Sequence, residues 1–216
     1  VDYQTGDLML CAAINRAGTQ TVSALTGWTQ LYAYTTQGST EVWGRIADGG
    51  ANDAPTVDWS GSAQAAAWID VFYGDVYSTL ASIVHAASAE SSSSASVPRC
   101  PALTAATNAF TESDCLLYAI GKRSTTADSV SAVIAPSGLT LAQSWIDNTF
   151  GFITGSAYAQ QAAQADFGGA DFSQTGGVES SSSNGVMLAL RSAAVSSGGS
   201  FVLPTMLNRT NTLLRM

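Results

Sequence analysis

Asp7-Leu8-Met9-Leu10-Cys11-Ala12 and Asp114-Cys115-Leu116-Leu117-Tyr118-Ala119 are two apolar runs of strand length, each opened by an aspartate. They begin a series of matches that keeps its order along the chain. Arg16 matches Arg123 at the same offset, 107 residues. Ala24-Leu25-Thr26-Gly27-Trp28-Thr29 matches Ala135-Pro136-Ser137-Gly138-Leu139-Thr140 at an offset of 111. Trp43 falls opposite Tyr158 at 115, and Trp68-Ile69-Asp70-Val71 opposite Met187-Leu188-Ala189-Leu190 at 119. The offset grows and never reverses, as it would if the same elements recurred with longer loops. Chance similarity in an Ala- and Ser-rich chain is the plain alternative.

Working outward, the chain reads as strands and turns. Asp7–Ile14 is a continuous apolar run. Trp28–Thr35 and Ser39–Ile46 flank Gln37-Gly38, a hairpin signal. Thr56–Trp59 and Ala65–Tyr73 read as further strands. Regularly spaced short strands indicate a sandwich or barrel. Each copy supplies about five strands, too few to cover both sides of a sheet, whereas ten make a two-layer structure. The expected fold is all-β: an antiparallel, jelly-roll-like sandwich over residues 1–194, made of two intertwined pseudo-repeats at about 6–75 and 113–193. Two separate small sandwiches are the alternative. Trp28, Trp43, Trp59, Trp68 and Trp145 lie in strand-like runs and are expected to pack in the core rather than stack on sugars. The serine patches Ser91–Ser96 and Ser180–Ser183 read as flexible surface loops.

Composition supports an all-β chain. Of 216 residues only 11% are charged, 46% are hydrophobic and 20 are glycine. A helical bundle needs charged outer faces, and a disordered chain has fewer apolar residues. Outer sheet faces rich in Ser, Thr, Gly and Ala are the expectation. Net charge is −8, and Lys122 is the only lysine. Without a basic face, neither nucleic acid nor an anionic membrane is an expected partner. No run approaches the roughly 20 apolar residues of a membrane span, and no signal-peptide pattern is present at Val1.

The chain's character changes after Ala194. Residues 195–200 read as a linker. Residues 201–216 form an apolar arm carrying Arg209 and Arg215, with no acidic residue after Glu179. The arm either returns to the sandwich as a last strand or docks on another subunit through Phe201, Leu203, Leu207, Arg209, Leu213, Leu214 and Arg215.

The residues suited to chemistry are few. His85 is the only histidine, with no G-x-S-x-G nucleophile to serve. Cys11, Cys100 and Cys115 lack zinc-site spacing. They read first as buried thiols. Cys100 and Cys115 also frame a loop of about 15 residues that a disulfide could close, worth about 3 kcal/mol in the chain-entropy account. Glu41, Asp70, Asp147 and Glu179 are the conceivable carboxylates for glycoside hydrolysis, but their spacing selects no pair. Asp48–Asp53 and Asp166–Asp171 read as Asp/Gly turns before they read as calcium loops. No catalytic, cofactor or metal set emerges, so the chain is expected not to be an enzyme.

One ordered series resembles a known family. Gly6-Asp7-Leu8-Met9-Leu10 is followed by Leu25-Thr26-Gly27-Trp28-Thr29-Gln30-Leu31, then Val42-Trp43-Gly44-Arg45-Ile46-Ala47-Asp48-Gly49, then Ala54-Pro55-Thr56-Val57-Asp58-Trp59-Ser60. The series is similar to a β-sandwich family common in structural regions of tailed bacteriophages, across most of residues 6–192. That resemblance implies a multicopy virion component of the capsid-decoration, collar or tail-fibre type. It would be assembled in the bacterial cytoplasm and bound to other virion proteins, and it brings no catalytic residues or cofactor. The cysteines and the apolar arm depart from the family pattern. A carbohydrate- or receptor-binding module that recognises a host glycan is the second class, and a polysaccharide hydrolase the third.

Overall fold

The computed structural model describes residues 3–16, 20–61, 64–72, 79–80, 82–113, 115–125, 128–177 and 181–191. The linker and arm, 195–216, and Glu179 lie outside the described residues.

Eleven strands are described: β1 (Leu8–Asn15), β2 (Thr29–Tyr34), β3 (Thr40–Ile46), β4 (Ala65–Phe72), β5 (Val84–Ala95), β6 (Cys115–Ser124), β7 (Ala132–Ile134), β8 (Thr140–Asp147), β9 (Phe152–Gln161), β10 (Ser173–Thr175) and β11 (Ser181–Arg191). A single helical turn, α1 (Ala105–Asn108), sits between β5 and β6. The first sheet has the order β2-β3-β1-β4 and the second β5-β11-β6-β9-β8, with antiparallel neighbours throughout. β7 and β10 form a separate two-stranded ribbon. The two large sheets pack face to face, with β2 over β5, β3 over β11 and β4 over β8. Each layer comes from one contiguous part of the chain, so the sandwich is two-layered but the layers are not interleaved.

The apolar runs do not alternate because both faces of the central strands are covered. On β1, Leu8, Leu10, Ala12 and Ile14 point between the sheets, where they meet Trp68, Phe72, Leu116, Tyr118, Ile120, Val186 and Leu188. Met9, Cys11 and Ala13 point the other way, under Val22, Leu25, Trp28 and Val57 from the loops. The second sheet repeats the device: Leu117, Ala119, Met187 and Ala189 lie under Leu103, Phe110, Val130, Val133 and Phe172. The molecule therefore has four layers, with a loop layer outside each sheet. At about 1.5–3 kcal/mol per buried large aliphatic or aromatic side chain, the outer layers are a substantial share of the stability. This corrects the expectation of hydroxyl-rich outer faces: the loops supply an apolar cover.

A row of glycines makes that cover possible. Gly185, Gly121 and Gly155 are register partners across three strands. A Cβ on Gly121 would strike the Arg99 carbonyl and come within 2.6 Å of the Phe172 ring. A Cβ on Gly185 would lie 2.8 Å from the Arg99 carbonyl carbon. Glycine is needed because another backbone crosses directly over the strands.

Two sequence expectations change. The serine patches are not loops. Ser183 and Asn184 pair with Ser92 and Ser91, so the patches form adjoining strands, β5 and β11. The strand expected at Thr56–Trp59 is reduced to a single bridge, Val22–Trp59.

The matched segments occupy corresponding places in the two sheets. β1, β2, β3 and β4 correspond in order to β6, β8, β9 and β11, with β5 added at an edge. Trp28 N–H donates to Leu25 O (3.1 Å), and Leu139 N–H to Pro136 O (3.0 Å) in the same kind of turn. A register shift interrupts β2 between Gln30 and Tyr32, and β8 between Leu141 and Gln143. The residue equivalences, however, are displaced by one. Cys11 faces outward while Tyr118 faces inward, and Trp68 faces inward while Met187 faces outward. A slip of one residue exchanges the faces of a strand, so the matched order survives while the matched side chains do not.

Candidate functional site

Two buried ionisable groups stand out between the sheets. The first is Asp70, at mid-interface on β4 and only 4% exposed. Its Oδ2 accepts from the Tyr118 hydroxyl (2.6 Å), the Ser156 hydroxyl (2.8 Å) and Trp68 Nε1–H (3.2 Å). Tyr118 is held edge-on to Phe72, with ring centroids 5.9 Å apart. Burial pushes the Asp70 carboxyl above the usual range, opposed by hydrogen bonds from Tyr118, Ser156, Trp68 and Gln143. The donors come from both sheets, so the carboxylate ties one layer to the other.

The second is Lys122, at the end of β6 and fully buried. Its Nζ donates to the backbone carbonyls of Arg16 and Gln37, both in the opposite layer. Its register partner Asn184 donates from Nδ2 to Thr36 O (2.9 Å) and Gly38 O (3.2 Å), and accepts from the Thr40 hydroxyl (2.7 Å). Arg16 reaches back, donating to Thr125 O just beyond β6. The ends of β1 and β6 thus clasp each other through cations bound to carbonyls. Burial drives the Lys122 amine down to about 7, and the nearby Arg16 charge adds to that. Sequence reading noted Lys122 only as the single lysine. The signal available was a lysine closing an apolar strand, Cys115–Ser124.

The residues singled out for chemistry do not assemble. Glu41 lies on the outer face of the first sheet, where it accepts from Val22 N–H and Gln30 Nε2–H, both at 2.8 Å. Asp70 lies on the inner face, so the sheet separates the two. Asp147 accepts from Thr149 N–H (3.1 Å) and Phe150 N–H (3.3 Å) in a surface turn. His85 accepts at Nε2 from Thr111 N–H (3.1 Å), and its Nδ1 lies 3.0 Å from Arg191 and 3.4 Å from Glu112. It serves to tie the start of β5 to the end of β11.

The aspartate loops are occupied by arginine. Asp53 pairs with Arg45 Nε at 2.5 Å and accepts from Gly49 N–H, and Asp48 pairs with Arg45 NH2 at 2.7 Å. Asp171 pairs with Arg99 (2.5 Å) and accepts from Cys100 N–H, while Asp166 accepts from Ala105 N–H. A guanidinium fills the place a calcium ion would need in the first loop. Among the described residues, no group of three or more His, Cys, Asp or Glu is arranged to hold a metal.

All three cysteines are buried thiols, and the candidate Cys100–Cys115 disulfide is not formed. The chain on either side explains why. Arg99 crosses the second sheet at Gly121, six residues along β6 from Cys115, about 20 Å at strand rise. A disulfide spans only about 4.4–6.8 Å between Cα atoms. Burial also pushes the Cys11 and Cys100 thiols up to about 12, far from the reactive thiolate. Trp28 and Trp43 are buried in the outer cluster of the first sheet, and Trp68 in the inner one. Trp59 and Trp145 pack against these clusters.

A shallow, open depression of about 470 Å³ is lined by Gly27, Thr29, Arg45, Ile46, Thr79 and Leu80. Its cation is already committed to Asp48 and Asp53. No known protein family, characterised protein or solved structure matches this chain. The geometry alone must carry the functional reading. Phe201, Leu203, Leu207, Arg209, Leu213, Leu214 and Arg215 lie outside the described residues.

Proposed function

We propose that this chain is a non-enzymatic structural component of a tailed-bacteriophage virion, attached to capsid, collar or tail through residues 201–216. The observation that carries the reading is how the described charges are used. Arg45, Arg99, Arg123 and Arg191 are each bound to carboxylates of the same chain. The buried acid and the buried lysine join layers rather than line a cleft. Such a body is a rigid scaffold, and its net charge of −8 keeps copies apart in solution. Attachment then falls to the apolar, arginine-bearing arm. The ordered resemblance described above points the same way and implies many copies per particle, assembled in the host cytoplasm.

Deletion of residues 201–216 tests the proposal. Particles grown with the truncated chain should lack it, while the isolated truncated protein unfolds at the same denaturant concentration as the full chain. Normal incorporation would overturn the attachment role. Saturable binding on a glycan array, lost when Trp145 is replaced, would favour a host-glycan module instead.

A further inference from the structure

The two large sheets differ by one strand. Taken from corresponding edges, the first runs β2-β3-β1-β4 and the second β8-β9-β6-β11-β5. β11 is paired on both sides, with β6 and with β5. β4 holds the matching place but pairs only with β1, and among the described residues no backbone group bonds to its other side. The strands that face these edges show the same difference. Tyr34 on β2 and Trp145 on β8 each lie two residues beyond the register shift of their strand, and both turn, partly buried, toward the core between the sheets. Tyr34 is capped by β5, its hydroxyl donating to Ser91 Oγ (3.1 Å). Among the described residues, no strand stands to Trp145 as β5 stands to Tyr34.

β5 is the part of the chain that follows β4. After eleven residues, 73–83, it lies in the other sheet, antiparallel beside β11. The part that follows β11 is the arm, nine residues on, after 192–200. We infer that residues 201–207 form the fifth strand of the first sheet, antiparallel to β4 and over Trp145, within the same chain. The described ends of the strands allow it. Arg16, just after β1, reaches Thr125, just after β6, so β1 and β6 run the same way. Phe72 lies opposite the start of β1 and Arg191 opposite the start of β6. The chain therefore leaves β11 at the end of the molecule where β4 finishes. β11 lies over β3, so the place beside β4 is three strand spacings along and one layer across, about 17 Å. Nine extended residues reach roughly 30 Å. The sequence suits the place. Phe201-Val202-Leu203-Pro204-Thr205-Met206-Leu207 carries no charge and has the length to pair with the eight residues of β4. Phe201, Leu203 and Leu207 alternate on one face, the face turned to Trp145. Proline fits an edge strand only with its nitrogen on the free side, which makes Leu203 and Thr205 residues that bond to β4. The seat does not depend on the virion reading. On that reading it leaves residues 209–216, with Arg209 and Arg215, as the part that reaches a neighbour.

The test is hydrogen exchange of the β4 amides in the full chain and in chains ending at residue 208 or at residue 200. Every second amide of β4 points away from β1. These should be equally protected in the full chain and in 1–208, and should exchange about tenfold faster in 1–200. Equal rates in all three would overturn the inference, and protection already lost in 1–208 would overturn its assignment to residues 201–207. Protection that disappears on dilution would assign the strand to a neighbouring copy and refute its placement within one chain. Hydroxyl-radical labelling of Trp145 should rise in 1–200; unchanged labelling there would refute the packing over Trp145. Two full-length variants check the pairing. Thr205→Pro removes an N–H directed at β4 and should release the same amides, while Met206→Pro removes one on the free side and should not. The reverse pattern would count against the strand. Held by a single edge, residues 201–207 should leave β4 below the denaturant concentrations that unfold the body, so these local rates report the strand where the unfolding midpoint does not. Normal incorporation of the truncated chain into particles would overturn the attachment role and leave these rates as expected, so the two readings fail separately.

Discussion

The middle of the interface and one of its ends solve the same problem with opposite charges. At the middle, Asp70 is stripped of water and receives donors from Tyr118, Ser156 and Trp68. At the end, Lys122 is stripped of water and donates only to backbone carbonyls of Arg16 and Gln37. Burial raises the pKa of the acid and lowers that of the base. Burial thus works against the charged form of each, and both fasten layer to layer by directed hydrogen bonds rather than by ion pairing. A nonspecific apolar contact lets two sheets slide, whereas these two points fix their relative position. They also leave opposite marks on the pH dependence of stability.

The largest effect belongs to Lys122. The unfolded chain keeps the lysine proton up to about pH 10.5, while the folded protein has released it by about pH 7. Unfolding takes up a proton at this group throughout that window, so the lysine's own contribution to stability rises with pH between about 7 and 10.5 and is level below it. The fall from 10.5 to about 7 corresponds to on the order of 5 kcal/mol across the window. Lys122→Met should flatten the rise, as read from urea midpoints taken at intervals of pH. A slope unchanged in the variant would show that the lysine is not the group responsible.

Next is Asp70→Ala, which leaves the Tyr118 and Ser156 hydroxyls without their acceptor inside the sandwich, while the Trp68 indole N–H keeps only Ser156 Oγ (3.1 Å). A loss of roughly 3–5 kcal/mol is expected by denaturant unfolding. Asp70→Asn keeps an acceptor oxygen and should cost less. It should also remove a pH dependence of the other sign. The folded Asp70 holds its proton above the ordinary 3.8. Unfolding then releases a proton, and stability falls as pH rises from 3.8 toward the folded value. Asp70→Asn should abolish that decline and leave the Lys122 rise in place.

Much of the fold was legible because strand signals are local. Asp7–Ile14 anticipated β1 (Leu8–Asn15), and Gln37-Gly38 anticipated the hairpin between β2 and β3. Both turn residues have positive φ, 61° and 96°. The order of the matched segments anticipated the corresponding strand orders of the two sheets. What escaped depends on contacts distant in sequence. Ser91–Ser96 has loop composition, and most of it is a strand only because β11 pairs with it. The face each strand residue takes was hidden because loops cover the outer sides with apolar groups, erasing the alternation that would have revealed it. Asp70 was seen only as a loose carboxylate, since Tyr118 and Ser156 lie 48 and 86 residues away. Lys122 is likewise defined by carbonyls 106 and 85 residues distant.

The smallest effects sharpen the comparison from the lysine's side. Gly38 has φ +96°, and a Cβ there would strike Lys122 Nζ and approach Asn15 O to 2.7 Å. Gly49 has a similar φ of +77°, but a Cβ there would meet nothing within 4 Å. Alanine at either position carries the left-handed backbone penalty, about 1–2 kcal/mol. Only at Gly38 must it also displace the buried amine. Gly38→Ala should therefore cost roughly 2–4 kcal/mol, and Gly49→Ala about 1 kcal/mol. The excess at Gly38 should shrink in the Lys122→Met background, whose flexible side chain can move aside without abandoning a hydrogen bond. Equal costs for the two glycines would mean that the hairpin is not seated on Lys122, and that the clasp at this end is looser than the carboxylate network at the middle.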